Sequence, residues 1–212
     1  MHKGEVQAMK KSSIIFFSIL LSLFSCQEDE PTEKVVVLES PRHVSSTVED
    51  FENKSFLCCD TADAHQVIAA YLALTEALAA DQGESSTRAA THLVNTTRNA
   101  AENAEGEEQE LLNRVVEKLG KWPEPDIELI RGVLHTVSND LVDYARAHTG
   151  PPPEAEANKI AEGFCPMAPG RWLQTNPTLQ NPYYGGAMLT CGIFEDAPTP
   201  TVNPEAPENP QR

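Results

Sequence analysis

Four stretches between residues 61 and 148 repeat apolar side chains every three or four residues, which places those side chains on one face of an α-helix. The stretches begin near Thr61, Ser86, Glu107 and Asp126. In the last of them the apolar positions form a heptad stripe: Ile130, Leu134, Val137, Leu141 and Tyr144. The pattern predicts a mainly α fold, with an antiparallel four-helix bundle over about residues 61–149.

The sequence on either side of these stretches has a different texture. Residues 26–57 mix acids with Pro, Ser and Thr, which predicts an acidic tether. Residues 58–195 are expected to form the folded part, in which 158–195 combine Cys, Met, Gly and aromatic residues without a helical period. This Cys/Met module is predicted to be an irregular loop or hairpin packed on the bundle. Residues 196–212 are Pro-rich without an apolar cluster, which is typical of a disordered tail.

The first 26 residues have the layout of an export signal. Lys10 and Lys11 precede an apolar stretch at 14–24, and the run Leu-Phe-Ser ends directly before Cys26. This run resembles a bacterial lipobox, so residues 1–25 are interpreted as a lipoprotein signal peptide and Cys26 as the acylated residue. The prediction is a protein anchored by lipid to a membrane of the cell envelope. The outer membrane is favoured because the residue directly after Cys26 is Gln27 and not Asp. The alternative is a plain signal peptide with an incidental cysteine.

Charge and motif content exclude several function classes. With 16 Lys and Arg against 32 Asp and Glu, the formal net charge is −16, which argues against binding to nucleic acid. The sequence contains no metalloprotease, serine hydrolase, phosphate-loop or dinucleotide-binding motif. These observations give no basis for an enzyme.

Four sulfur-containing residues of the Cys/Met module form the main candidate site. Cys165 and Met167 are two residues apart, and Met188 and Cys191 are three apart. Thiolate and thioether sulfurs are soft ligands that select Cu(I), and equally Ag(I), over hard ions. If the chain between them folds back, the four sulfurs can converge on such an ion. The structural alternative is a Cys165–Cys191 disulfide, worth roughly 3.5 kcal/mol in the chain-entropy model, with both methionines in the core.

Two adjacent cysteines form a secondary candidate. A bridge between neighbouring cysteines closes a strained eight-membered ring, so Cys58 or Cys59 is expected to pair with another thiol or with a second chain. Alternatively, Cys58, Cys59 and His65 form a soft-metal site near the first helix.

The C-terminal motifs resemble those of a bacterial family of unknown function. They are Cys-Pro-Met at 165–167, Trp-Leu at 172–173, Asn-Pro-Tyr-Tyr-Gly at 181–185 and Met-x-x-Cys-Gly at 188–192. Members of that family occur as exported lipoproteins and fused to periplasmic adaptor subunits of copper/silver efflux pumps. The resemblance implies an accessory to metal efflux, with an efflux-pump subunit or another envelope protein as partner.

Two functional expectations follow. The first is a non-enzymatic exported lipoprotein that binds Cu(I) or Ag(I) or assists metal efflux. The second is a disulfide-stapled structural or protein-interaction module at the cell envelope, without a metal role.

Overall fold

A computed structural model describes residues 46–120, 126–150 and 158–198. Within these ranges the protein is mainly helical and also contains a small antiparallel sheet. In chain order its elements are α1 (Val48–Lys54), β1 (Phe56–Cys58), α2 (Ala62–Ala79), α3 (Gly83–Asn103), α4 (Gly106–Leu119), α5 (Ile127–Ala147), β2 (Asn158–Cys165), β3 (Gly170–Gln174), a 3-10 turn (Gly185–Ala187) and β4 (Ile193–Phe194).

The four predicted helices are present as α2 to α5, and each begins within three residues of its predicted start. Side-chain caps fix two of these starts. The Thr61 hydroxyl accepts a hydrogen bond from the Ala64 amide at the start of α2, and the Asp126 carboxylate accepts one from the Glu128 amide at the start of α5. No described helix is long and apolar enough to cross a membrane.

The core forms where the apolar stripes of the helices meet. Helix α2 packs on α3 and α5, and α4 packs on α3 and α5. The inward positions of α2 and α5 are almost fully buried: Val67, Tyr71, Leu74, Leu78, Leu134, Val137 and Leu141. Burying one large apolar side chain contributes about 1.5–3 kcal/mol, so these stripes supply much of the driving force for folding.

The sheet is organised around β2. Strand β3 pairs antiparallel with residues 161–165 of β2, β1 pairs with its residues 158–160, and β4 pairs with residues 163–164. Hydrogen bonds from Thr75 on α2 and Ser138 on α5 to carbonyl groups of β3 attach the sheet to the helices. Within the C-terminal module, predicted as an irregular loop or hairpin, β2 and β3 form a hairpin and β4 returns to β2.

The sequence prediction of a tether over residues 26–57 was too long at its C-terminal end. Residues 48–54 form α1 and residues 56–58 form β1. Phe51 and Phe56 are buried, and the Phe51 ring packs edge-on against Phe194 with the ring centroids 5.6 Å apart. These two aromatic side chains supply the apolar surface that holds the segment on the domain. The predicted signal peptide, residues 26–45 of the predicted tether and residues 199–212 lie outside the described residues.

A fully buried tryptophan sets the shape of the sheet. Trp172 lies on β3 opposite Gly163 of β2, and its indole covers the place where a side chain at residue 163 would project. A Cβ atom at Gly163 would lie 2.9 Å from Trp172 Cδ2 and closer still to other ring atoms. Trp172 Nε1 donates a 3.0 Å hydrogen bond to the Gln174 side chain, so the buried indole keeps a polar partner.

We expect Gly163→Ala to lower the free energy of unfolding by about 1–3 kcal/mol, because the added methyl group must displace the buried indole. The matched control is Gly132→Ala on α5, where a Cβ meets nothing within 4 Å. That change is expected to stabilise the protein by about 0.5–1 kcal/mol through helix propensity. Chemical denaturation measures both; equal effects of the two substitutions would contradict this packing.

Candidate functional site

The sheet brings the thiols of Cys165 and Cys191 together. Cys165 is the last residue of β2, and Cys191 is separated from β4 by Gly192 alone. The β2–β4 register pairs Phe164 with Ile193, so one more step places Gly192 opposite Cys165. Cys191 is therefore the next residue along. Both cysteines are free thiols, and they lie close enough for Cys165 to raise the pKa of Cys191.

Glycine at position 192 permits this approach. Its φ of +143° lies in a region that L side chains rarely adopt, and a Cβ there would lie 2.7 Å from the Phe164 carbonyl oxygen. The same Cβ would lie 3.0 Å from Trp172 Cη2, so the indole borders the backbone beside Cys191. Glycine directly after Cys191 thus allows the two strands and Trp172 to pack closely.

The two thiols differ in their access to solvent. Cys165 is fully buried at the start of the β2–β3 turn, where the Ala168 amide donates to its Sγ at 3.4 Å. Cys191 is 6% exposed and borders an open cleft of about 350 Å³ lined by residues 186–191. Any reagent or ion therefore meets Cys191 before Cys165.

Burial raises the pKa of the Cys191 thiol, and the adjacent Cys165 raises it further. An ordinary cysteine thiol already has a pKa near 8.5, so the Cys191 thiol is protonated at neutral pH. The side chain can therefore bind a metal ion or act as a nucleophile only after it loses its proton.

The two predicted methionine ligands lie in different surroundings. Met188 is partly buried against the core and lines the same cleft as Cys191. Met167 lies in the β2–β3 turn and is 65% exposed. Among the described residues, no three His, Cys, Asp or Glu side chains form a cluster that can hold a metal ion. A soft-metal site here consequently relies on two thiols, with the Met188 thioether at its edge.

A buried arginine fixes the loop that carries Cys191. Arg131 of α5 donates to the Leu78 and Pro182 carbonyl oxygens at 2.8 and 3.1 Å and forms an ion pair with Asp81. Asp81 in turn accepts a 2.8 Å hydrogen bond from the Gly186 amide. Arg131 and this amide hold the pKa of the Asp81 carboxyl below its ordinary value. Helix α5, the end of α2 and the loop at 181–191 are thereby joined.

Asn181 stabilises the same loop through buried hydrogen bonds. Its fully buried side chain donates to the Cys191 carbonyl oxygen at 2.9 Å and accepts from the Tyr183 amide at 2.9 Å. Gly185 is required in the turn because its φ is +53° and a Cβ would lie 2.7 Å from Asp81 Cγ. The Asn-Pro-Tyr-Tyr-Gly motif thus positions the backbone of Cys191.

A buried network of hydroxyl groups supports β3 beside the thiols. The Tyr183 and Ser138 hydroxyls both donate to the Arg171 carbonyl oxygen at 2.6 Å, and Tyr71 shares a short hydrogen bond with Ser138. Burial raises the pKa of Tyr183 to about 12, and nearby Cys165 contributes to this shift. Tyr183 therefore stays protonated and donates its hydrogen bond throughout the physiological pH range.

The prediction for Cys58 and Cys59 differs from the structure, in which these two residues are bonded to each other. Both are buried in the core, at 4% and 1% exposure, which excludes a bridge to a second chain in this fold. His65 lies in the first turn of α2 and is half-buried. Because both sulfurs are in the disulfide, the set of Cys58, Cys59 and His65 contains no thiolate that can bind a metal ion.

Sequence analysis missed the residues that position the site. Arg131 follows Ile130 and lies three residues before Leu134, so it falls within the apolar side of α5. A charged residue at such a position signals a buried ion pair, because an unpaired charge is rarely buried. Its partner Asp81 follows α2 at a φ of +56°, which the sequence does not indicate.

The fold and site define a mainly helical protein with a small antiparallel sheet and a buried pair of thiols. Residues 67–150 match the family described as Protein of unknown function (DUF3347). The match covers most of α2 and all of α3 to α5, and it ends before β2 and the two thiols. No curated protein and no solved structure matches the chain.

We expect Asp81→Ala to speed the alkylation of Cys191 in the native protein by about tenfold or more, because the loop at 185–191 loses its tie to Arg131 and opens locally. Glu84→Ala is the matched control, since this carboxylate pairs with exposed Arg88 on its own helix. Mass spectrometry of alkylated peptides gives both rates. An unchanged rate in Asp81→Ala would show that the ion pair does not hold the loop.

Proposed function

We propose that this protein binds one Cu(I) or Ag(I) ion between Cys165 and Cys191. The observation that carries the proposal is the strand register that sets two free, buried thiols side by side where β2 and β4 meet. Both ions accept two sulfur ligands, whereas ions that prefer a larger set of His, Cys, Asp or Glu ligands find no such set in the part of the chain that the structure describes.

The surroundings of the thiols suit a soft monovalent ion. Deprotonation of both thiols gives a site of charge −2, which one monovalent cation reduces to −1. The Ala168 amide already donates to Cys165 Sγ and can stabilise this remaining charge. The Trp172 indole and the apolar core limit water on the inner side, and the cleft beside Met188 supplies an entry path.

We further propose that the protein works as a non-enzymatic lipoprotein of the cell envelope, held by lipid on Cys26 and assisting copper or silver efflux. The lipobox-like run before Cys26 and the C-terminal motifs support this setting. In the same proposal α2 to α5 form an antiparallel four-helix bundle, which is consistent with their sequential packing. The partner would be an efflux-pump subunit or another envelope protein.

A second candidate function rests on the same pair of thiols. If Cys165 and Cys191 are oxidised permanently after export, the module is a disulfide-stapled structural or interaction unit without a metal role. The two functions differ in one measurable property, the number of free thiols in protein isolated from the envelope. A permanent staple leaves Cys165 and Cys191 resistant to alkylation after denaturation.

Titration of the reduced protein with Cu(I) against a chromogenic Cu(I) chelator tests the metal proposal. We expect one ion per chain, and Cys165→Ser or Cys191→Ser should weaken binding by more than about 100-fold, beyond the cost of losing an outer contact. Met188→Leu is expected to cost about tenfold at most, since thioether is the weaker soft ligand. Met167→Leu is the matched control and should have no effect, because that side chain is 65% exposed.

The affinity for Cu(I) is also expected to rise with pH. The pKa of Cys191 is raised by burial, so its thiol is protonated at neutral pH and must release its proton when the metal binds. Each proton released makes binding about tenfold weaker for every unit by which the pH falls. Competition titrations at pH 6, 7 and 8 measure this slope; an affinity independent of pH would contradict binding through the thiols.

A further inference from the structure

The two buried thiols are arranged for a reaction in a fixed order. The β2–β4 register places the two residues side by side, so a disulfide between them requires loss of two hydrogen atoms and no change in strand pairing. Only Cys191 borders the cleft, whereas Cys165 is completely buried and its Sγ accepts the Ala168 amide hydrogen bond.

We propose that Cys165 and Cys191 form a reversible thiol–disulfide switch, in which Cys191 reacts first with a small-molecule disulfide entering through the cleft and Cys165 then completes the bridge. The entry side follows from the cleft lined by residues 186–191, and the second step follows from the register that places Cys191 beside Cys165.

The reaction balances as two thiol–disulfide exchanges. The Cys191 thiolate attacks one sulfur of the small disulfide, forms a mixed disulfide and releases one equivalent of the small thiol. The Cys165 thiolate then attacks the Cys191 sulfur, forms the Cys165–Cys191 bond and releases the second equivalent. The protein loses two electrons and two protons, and the small disulfide is reduced to two thiols. Excess small thiol drives the same steps backwards.

The switch would control the metal site, and this part rests on the proposed function. Both thiolates are needed to hold a soft ion, so the disulfide removes both ligands at once. In the oxidised state the protein should release Cu(I) or fail to take it up, and reduction should restore binding. The cell envelope contains disulfide exchange systems, so both states are chemically accessible there.

The order of reaction is tested with oxidised glutathione under native conditions, followed by acid quenching and peptide mapping by mass spectrometry. All proteins in this experiment carry Cys26→Ala, which removes the cysteine that lies outside the described residues. Cys58 and Cys59 are bonded to each other, so Cys165 and Cys191 are then the free thiols. We expect Cys165→Ser to accumulate a stable glutathione adduct on Cys191. We expect Cys191→Ser to form the adduct on Cys165 at least about tenfold more slowly, because that thiol is fully buried. The parent chain should form the Cys165–Cys191 disulfide.

Several results would overturn the switch. Adducts forming equally fast on the two single variants would exclude ordered entry. A parent chain that keeps the Cys191 adduct without closing the bridge would exclude Cys165 as the second thiol. Circular dichroism of Cys165→Ala and Cys191→Ala shows whether loss of either side chain unfolds the protein. Native helix content in both variants means that these results do not come from unfolding. Mapping the transient adduct in the parent chain gives the order without any substitution at the two thiols.

The effect of the disulfide on metal binding is measured on the same samples. Cu(I) titration of the oxidised chain should show binding at least about 100-fold weaker than in the reduced chain, with recovery after dithiothreitol treatment and desalting. If the oxidised chain binds as tightly as the reduced one, the control of the metal site is wrong. If the reduced chain binds no Cu(I) but still forms the bridge in the stated order, the proposed function fails while the switch stands.

Discussion

The pairing of β2 with three other strands is the constraint on which the rest of the structure depends. Strand β2 connects β1, which follows the N-terminal segment, to β3 and to β4 at the C-terminal end of the described chain. Its register with β4 places Cys191 beside Cys165, and its register with β3 places Gly163 beneath Trp172. A shift of one residue would reverse the faces of these side chains and separate the two thiols.

Helices and sheet contribute differently to the site. The helices supply most of the apolar core. They also supply polar groups that hold the loop at 181–191 in place. Arg131 on α5 is the main example, because its guanidinium is buried and its donors are used by carbonyl oxygens and carboxylates from three parts of the chain. Removing such an arginine leaves several acceptors unpaired, which explains why a charge is retained inside the fold.

The helices could be predicted from sequence because each presents its apolar stripe within one continuous segment. The sheet could not, since its strands have two to eight residues and pair across long separations, as Phe56 does with Ile160. Motif spacing indicated that Cys165 and Cys191 belong together, but it could not show that Met167 lies in an exposed turn. The place of Arg131 on the apolar side of α5 signals a buried partner, but that this partner is Asp81, and that Cys58 bonds to Cys59, depends on tertiary packing.

X-ray absorption at the copper edge of the reduced, Cu(I)-loaded chain tests the central claim most directly, because it reports the atoms bound to the ion without any substitution. A site built from these two thiols requires that the ion be bound only by sulfur, with two short thiolate contacts and at most one longer thioether contact. A first shell dominated by nitrogen or oxygen would contradict a site built from Cys165 and Cys191, whatever the measured affinity.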